Sequence, residues 1–334
     1  MNVKETLLKG TTPKIFAYGY GKTRKTTWAG QAAATNMNPI YVDCDKSVSV
    51  LANTLTPEQQ ERMKYLDISD NVDTAVAGWF AGCLMRNRPF IWDVEDKRQV
   101  KSRVANHDCV IVNPKLFTPN DVLILDSYTQ ICNSLALQYS KENNIDITDA
   151  EKTEWDGYGW MGRLATGFIT CLMTLKCTVV VIGHVKTYEK KRKDKFGKEV
   201  IVSTRTQPLS VSNPHGETLN KSFSDMLYFY KQGTGTKIST KTSDELDCGS
   251  RYVEPKEWAF DDLTFEKIVT AAGVNKANKL KAWIDIPATM STEEFNKLWT
   301  EMCSATNNNN NANNSTKETG NSNIIKPAPQ FFKK

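Results

Sequence analysis

The sequence predicts an α/β fold: a mainly parallel sheet with helices on both faces, and antiparallel strands late in the chain. Three observations carry this. Short, wholly apolar runs recur at residues 39–42 (PIYV), 122–125 (VLIL) and 179–182 (VVVI), the composition of strands covered on both faces. Between the last two, Leu164, Phe168, Ile169, Leu172 and Leu175 fall on one face of a helix over 161–175. Near the amino terminus a strand, a glycine turn and a helix follow one another, and strands that alternate with helices pair in parallel.

Taken in order, residues 15–18 form a short apolar strand after Pro13. The glycines at 19 and 21 turn the chain, and 26–34 reads as a helix. The strand at 39–42 runs into Asp43 and Asp45, and the strand at 122–125 ends at Asp126. Residues 227–230 and 237–240 are expected to add antiparallel strands, while 80–118 reads as a polar, irregular insertion. One domain therefore spans 1–303. From Ser304 the composition changes to an asparagine run at 307–311 followed by NANNSTKETGNSN. Such a segment buries too little apolar surface to offset the entropy of ordering, so 304–334 is expected to be a disordered, Asn-rich tail. Its tip places Phe331 and Phe332 beside Lys333 and Lys334, either a frayed terminus or a peptide that docks on a partner.

Composition narrows the function classes. With 40% hydrophobic residues in 334, the chain has ample material for a core, and a wholly disordered protein is excluded. No run approaches the roughly 18–20 apolar residues that cross a bilayer, and the first residues lack the apolar stretch of a secretory signal. A soluble, cytoplasmic protein is expected. The 8 cysteines are scattered without a CxxC pair, and the 3 histidines form no ligand pair, so neither a disulfide scaffold nor a zinc site is indicated. A formal charge of +5 is too mild to argue for nucleic acid by itself.

The strongest local signal is Gly19-Tyr20-Gly21-Lys22-Thr23-Arg24-Lys25-Thr26, set between a strand and a helix. A phosphate loop needs backbone N–H groups wrapped round an anion, a lysine for the β- and γ-phosphates and a hydroxyl for Mg²⁺. Gly19 permits the first turn, and Gly21, Lys22, Thr23 and Arg24 complete the loop. Lys25 supplies the ammonium, Thr26 the hydroxyl, and Thr27 a donor for the α-phosphate. Arg24 stands where the pattern has glycine, so its side chain must point outward or else add a charge at the phosphates. A basic turn between strand and helix is the plainer meaning of the same letters.

Other strand ends point to the same chemistry. Asp126, followed by Ser127, suits the carboxylate that holds Mg²⁺ at the carboxyl edge of a sheet. Asp45 is the candidate base or water-positioner and Asp43 its support; either could instead cap a helix. His184 follows VVVIG directly, where a γ-phosphate would be sensed. Beyond it lie Lys186, Lys190, Lys191, Arg192, Lys193, Lys195 and Lys198, with Tyr188 and Phe196 interleaved. Cations neutralise phosphates and aromatics stack on unpaired bases, although a charge run also reads as a solvated loop or hairpin.

In this order the motifs resemble the RecA-like ATPases, in particular the phage-encoded nucleotide-binding proteins of that fold, including the Sak-type single-strand annealing ATPases. The resemblance rests on YGYGKTRKTTWA at 18–29, YVDCD at 41–45, LILDSYT at 123–129 and VVVIGH at 179–184, within residues 14–254. It implies a RecA-like P-loop core that uses ATP and Mg²⁺. Lys25 and Thr26 would bind phosphate and Mg²⁺, Asp126 would be the carboxylate of the family's second nucleotide-binding motif, and Asp45 sits where the family commonly has Glu. His184 would link nucleotide state to a DNA-binding segment of Lys186, Lys190, Lys191, Arg192 and Lys193. The resemblance further implies a homo-oligomeric ring or filament with cations supplied in trans; Lys241 and Arg251 match that region, and Arg205 is a further cation. The expected function is Mg²⁺-dependent ATP hydrolysis by a phage protein acting on single-stranded DNA in recombination, repair or replication. The setting would be the cytoplasm of an infected bacterium, with no membrane and with a single-strand DNA-binding protein as further partner. A helicase or helicase-loading motor, and a non-catalytic nucleotide-dependent scaffold, are the alternatives; Arg24 and Asp45 fit the scaffold.

Overall fold

A computed structural model describes residues 12–71, 74–144, 155–193, 195–196 and 198–311. Its strands, in chain order, begin with β1 (Lys14–Gly19), β2 (Asn38–Asp43) and β3 (Lys64–Asp67), followed by β4 (Phe90–Asp93), β5 (Arg98–Val100) and β6 (Cys109–Val112). Next come β7 (Asp121–Asp126), β8 (Thr178–Gly183), β9 (Val185–Lys193), β10 (Glu199–Pro208) and β11 (Asp225–Gln232). The last are β12 (Gly235–Ser239), β13 (Gly249–Ser250), β14 (Glu257–Ala259) and β15 (Trp283–Ile286). The helices used below are α1 (Lys25–Gly30), α2 (Val76–Met85), α3 (Tyr128–Glu142), α4 (Trp155–Thr174), α5 (Asn213–Ser222), α6 (Phe265–Ala271) and α7 (Thr292–Asn311).

The main sheet has the order β14-β12-β11-β1-β8-β7-β2-β3, with β13 also paired to β11. From β11 to β3 all neighbours run parallel; β12, β13 and β14 are antiparallel. The α/β expectation is met, with one correction. The run at 227–230 lies in β11, which is parallel to β1, because the long connection through β9, β10 and α5 returns the chain to the amino edge before it re-enters the sheet. Only the strand at 237–240 turns back directly, as β12.

Period-2 alternation sends the two sets of side chains to separate cores. Ile15, Ala17, Val122, Ile124, Val180 and Ile182 pack with Trp28 of α1 and Phe265 and Ile268 of α6. Phe16, Tyr18, Leu123, Leu125, Val179 and Val181 pack on the other face with Phe80 of α2, Ile131 of α3 and Phe168 of α4. Lys14 is buried yet satisfied: its ammonium donates to the carbonyls of Leu175 (2.8 Å) and Cys177 (2.6 Å), tying β1 to the chain just past α4. Ser127 caps α3 by accepting from the Gln130 N–H, and so fixes the chain leaving β7.

Residues 80–118 are regular rather than irregular. They finish α2 and supply β4, β5 and β6, which join β15 in a second, antiparallel sheet of order β15-β6-β4-β5. FIWD at 90–93 and CVIV at 109–112 are wholly buried runs, and Phe90 stacks on Trp92 and meets Phe80 edge-on. The polar residues between them form β5 and the turns on either side of it.

A separate unit begins at Met290. Its helix α7 starts with a reciprocal cap between Ser291 and Glu294 and continues to Asn311, past the point where the composition changes. Residues 312–334, with Phe331 and Phe332, lie outside the described residues. Among the described residues no helix is long and apolar enough to cross a membrane.

Candidate active site

Register brings the chemistry together. In the parallel ladder Tyr18 pairs with Gly183, Ile182 with Asp126, and Asp126 with Asp43. The carboxyl ends of β1, β8, β7 and β2 therefore lie side by side and deliver the 19–26 loop, His184, Asp126 and the 43–47 turn to one sheet edge.

The loop is shaped by two different backbone needs. Gly19 passes so close to β11 that a Cβ would stand 2.1 Å from the Phe229 carbonyl oxygen. Lys22 (φ 59°) and Arg24 (φ 65°) take left-handed conformations, so Arg24 adopts a backbone geometry open to the glycine of the usual pattern. Its guanidinium points away from the loop and lies 3.6 Å above the centre of the Phe260 ring. Of the two outcomes open from sequence, the outward one is realised. Thr23 is buried, its hydroxyl donating to the Tyr20 carbonyl at 2.8 Å.

Lys25 begins α1 with its ammonium turned under the loop, donating to the carbonyls of Gly19 (3.0 Å) and Tyr20 (2.8 Å). Burial pushes its pKa down to about 8, against the pull of the Asp126 and Asp45 charges. A Cβ at Gly21, unlike one at Gly19, would meet nothing within 4 Å. The two glycines therefore predict different defects. Gly19→Ala is expected to cost about 3 kcal/mol or more and to lower Tm sharply, because backbone must move. Gly21→Ala should leave Tm unchanged and weaken nucleotide binding; melting curves and a nucleotide titration check both.

Asp126 is the centre of the edge. Its Oδ2 accepts from Thr26 (2.7 Å), from Ser47 (2.7 Å) and, by a short bond, from the Tyr41 hydroxyl. Burial pushes the carboxyl up to about 6, the Asp45 charge adds to this, and the hydroxyl bonds offset part of it. Asp43 serves the turn, accepting from the N–H groups of Ser47 (3.0 Å) and Val48 (3.0 Å) and from the Tyr65 hydroxyl (3.2 Å). Neither aspartate caps a helix: Asp43 closes the turn before residues 49–52, whose helix has no side-chain cap, and Asp45 stands exposed at the rim, close enough for its charge to act on both Lys25 and Asp126. His184 is half-buried, and burial together with the Lys25 charge holds its imidazole below the ordinary value. Thr129 and Leu209 fix its backbone, the first accepting from its N–H and the second donating to its carbonyl.

Directly after His184 the basic segment forms a hairpin of β9 and β10. Lys191, Arg192 and Lys193 are exposed, and so are Glu199 to Ser203 opposite them, so this ribbon meets solvent on both faces. Phe196 at its bend is 83% exposed. Lys190 pairs with Ser203 through its backbone, and its side chain, like all of Gly197, lies outside the described residues. At the root Arg205 is held by Asp247 at 2.9 Å, which engages it within its own chain rather than in trans. Arg251 follows β13 beside Asp225, at the opposite edge from the loop, and Lys241 follows β12 as it runs toward that same edge.

Sequence reasoning missed Tyr41 and Ser47. A tyrosine inside a strand covered on both faces needs an acceptor, and that was the available signal for Tyr41. It also missed Asp93, Glu95 and His107, which the second sheet brings together; His107 binds Asp93 at 3.0 Å and Arg98 lies 3.8 Å from it, so the group is an internal ion pair.

The donor set fits the implied groups. Thr26 and Asp126 present a hydroxyl and a carboxylate, the hard oxygens Mg²⁺ selects, and the loop offers a lysine ammonium beside open space at Gly21. No curated protein matches the chain. Among solved structures it is similar to an ATPase from the type III secretion system of pathogenic bacteria, at 10% identity and a TM-score of 0.34, covering 67% of this chain and 55% of that one. It is also similar to the ATPase EscN in complex with its central stalk EscO from enteropathogenic E. coli, at 9% identity and a TM-score of 0.37, covering 94% of this chain and 57% of that one. The chain thus spans little more than half the length of either. Residues 11–252, which hold the loop, the Asp126 strand end, His184 and the hairpin, match the family model described as AAA domain, and the chain belongs to that family of P-loop ATPases.

Proposed function

We propose that the chain binds ATP with Mg²⁺ at this loop, hydrolyses it, and couples the cycle to single-stranded DNA held by the hairpin. The observation that supports the coupling is the contact between the two parts. The Tyr20 hydroxyl, in the loop, lies 3.0 Å from the Thr187 hydroxyl at the hairpin root, and the hairpin leaves β8 directly after His184.

In this reading Lys25 exchanges two loop carbonyls for phosphate oxygens, and Thr26 and Asp126 hold the metal. Asp45 orients the attacking water from the rim. His184, kept neutral, hydrogen-bonds at the γ-phosphate position and passes its state to β9. Lys241 and Arg251 lie away from their own loop, which suits cations offered to a neighbouring copy in a ring or filament. The resemblance to phage annealing ATPases supports a place in recombination, repair or replication in an infected bacterium, alongside a single-strand DNA-binding protein.

The hairpin supplies the test. Replacing Lys191, Arg192 and Lys193 together by Ala is expected to weaken oligo-dT binding and to reduce the slope of log K against log salt by about 2, since each phosphate contact on a single strand contributes about 0.7. DNA stimulation of turnover should be lost with it. Unchanged binding and slope would contradict the DNA reading.

A further inference from the structure

Beside the hairpin the same sheet edge carries a row of tyrosines. In β11, Tyr228 and Tyr230 project from one face with their rings stacked 5.6 Å apart at 11°, and Tyr18 beneath lies 5.3 Å from Tyr228. Tyr18 pairs with Tyr228 and Gly19 with Phe229, and Tyr20 follows directly past the end of β1, close enough to Tyr228 to act on it electrostatically. Tyr20 is 54% exposed, and its hydroxyl meets Thr187 of the hairpin. Tyr228 and Tyr230 are half-buried, and the Tyr230 hydroxyl is fixed by Glu257. Lys237 lies directly across the ladder from Tyr230 and so shares its face. From hairpin to sheet edge the order is Lys186, Thr187, Tyr20, then Tyr228 and Tyr230 with Lys237.

We propose that Tyr20 and Tyr230, with Tyr228 backing the Tyr230 ring and Lys237 beside it, form a stacking platform for the unpaired bases of the strand whose backbone follows the hairpin. The proposal rests on the single-stranded DNA reading above and adds the surface that holds the bases. Ring faces take any base, which suits binding without sequence preference, and a cation among the rings keeps the phosphates close. The rings are also ordered before binding. Tyr18 supports Tyr228 from below, Tyr228 supports Tyr230, and Glu257 and Thr187 hold the outer hydroxyls, so little side-chain freedom is left to lose on stacking. The continuity of the platform with the hairpin argues for a strand as occupant rather than the base of a bound nucleotide.

The test uses the full chain with Mg²⁺ and a non-hydrolysable ATP analogue, and fluorescein-labelled oligo-dT as probe. Tyr230→Leu and Tyr228→Leu are each expected to weaken oligo-dT about tenfold with the salt slope unchanged, because stacking rather than charge is lost. Tyr230→Phe, which keeps the ring without its hydroxyl, should bind within about twofold of the unaltered chain, showing that the ring and not the Glu257 bond matters. Ultraviolet crosslinking to oligo-dT should place adducts on the peptide that contains Tyr228 and Tyr230. If the leucine variants melt normally and bind oligo-dT like the unaltered chain, while the hairpin triple variant does not, the platform is overturned and the DNA reading stands. If the hairpin variant also binds normally, both fall. Weakened binding of the ATP analogue with oligo-dT affinity unchanged would assign the rings to the nucleotide base and overturn the platform.

Discussion

Lys25→Ala is expected to abolish nucleotide turnover, with a loss of at least about 100-fold in kcat, the scale on which a preorganised charge at the reacting group acts. Its fold cost should be far smaller. The ammonium satisfies the Gly19 and Tyr20 carbonyls, so its removal leaves those acceptors short and costs about 1–3 kcal/mol. Part of that is offset, because burial already holds Lys25 down to about 8 and the charged form is carried at a cost. The same value sets an alkaline limb: above about pH 8 the unliganded site loses its ammonium, and nucleotide affinity should fall. A phosphate-release assay, paired with a melting curve, separates lost chemistry from lost structure.

Asp126→Asn should divide stability from activity. The carboxyl is buried and pushed up to about 6 from an ordinary 3.8, so its ionised form destabilises the folded chain at neutral pH. That cost is fully present above about pH 6 and is relieved as the pH falls toward 3.8, where both states are protonated. The amide keeps an acceptor for Thr26, Ser47 and Tyr41 but carries no charge. At pH 7.5 the variant should therefore be as stable as the unaltered chain or more so, by up to about 3 kcal/mol. The difference should shrink at pH 5. Turnover should nevertheless fall about 100-fold, because a neutral amide is a poor Mg²⁺ ligand. The unaltered enzyme should show an acid limb near pH 6, where protons compete with Mg²⁺ for Asp126. A variant that melts lower at pH 7.5 and keeps its activity would contradict both halves.

Much of this edge was legible in the sequence, because the signals were local. An apolar run that ends in Asp, or one followed by Gly-His, fixes both a strand and its carboxyl end, and parallel pairing does the rest. Asp126, His184 and the 19–26 loop were found in that way. What failed had non-local causes. The direction of β11 depends on the length of the connection before it, which the composition of 227–230 does not record. The strands of 80–118 were masked by the charged turns between FIWD and CVIV, and their fourth partner, β15, lies far away in sequence. The outward course of Arg24 needed Phe260 to be seen, and the engagement of Arg205 needed Asp247. Tyr41 was the exception, since a polar tip in a buried strand is a local signal that went unread.

The AAA domain of this chain is proposed to be a working ATPase coupled to single-stranded DNA. The most direct test is Mg²⁺-dependent phosphate release by the full chain, measured with and without oligo-dT. Turnover that rises with DNA and disappears in Lys25→Ala is the predicted result. ATP bound without turnover at any DNA concentration would contradict it, and would make the chain a nucleotide-dependent scaffold whose exposed, short Asp45 fails to position water.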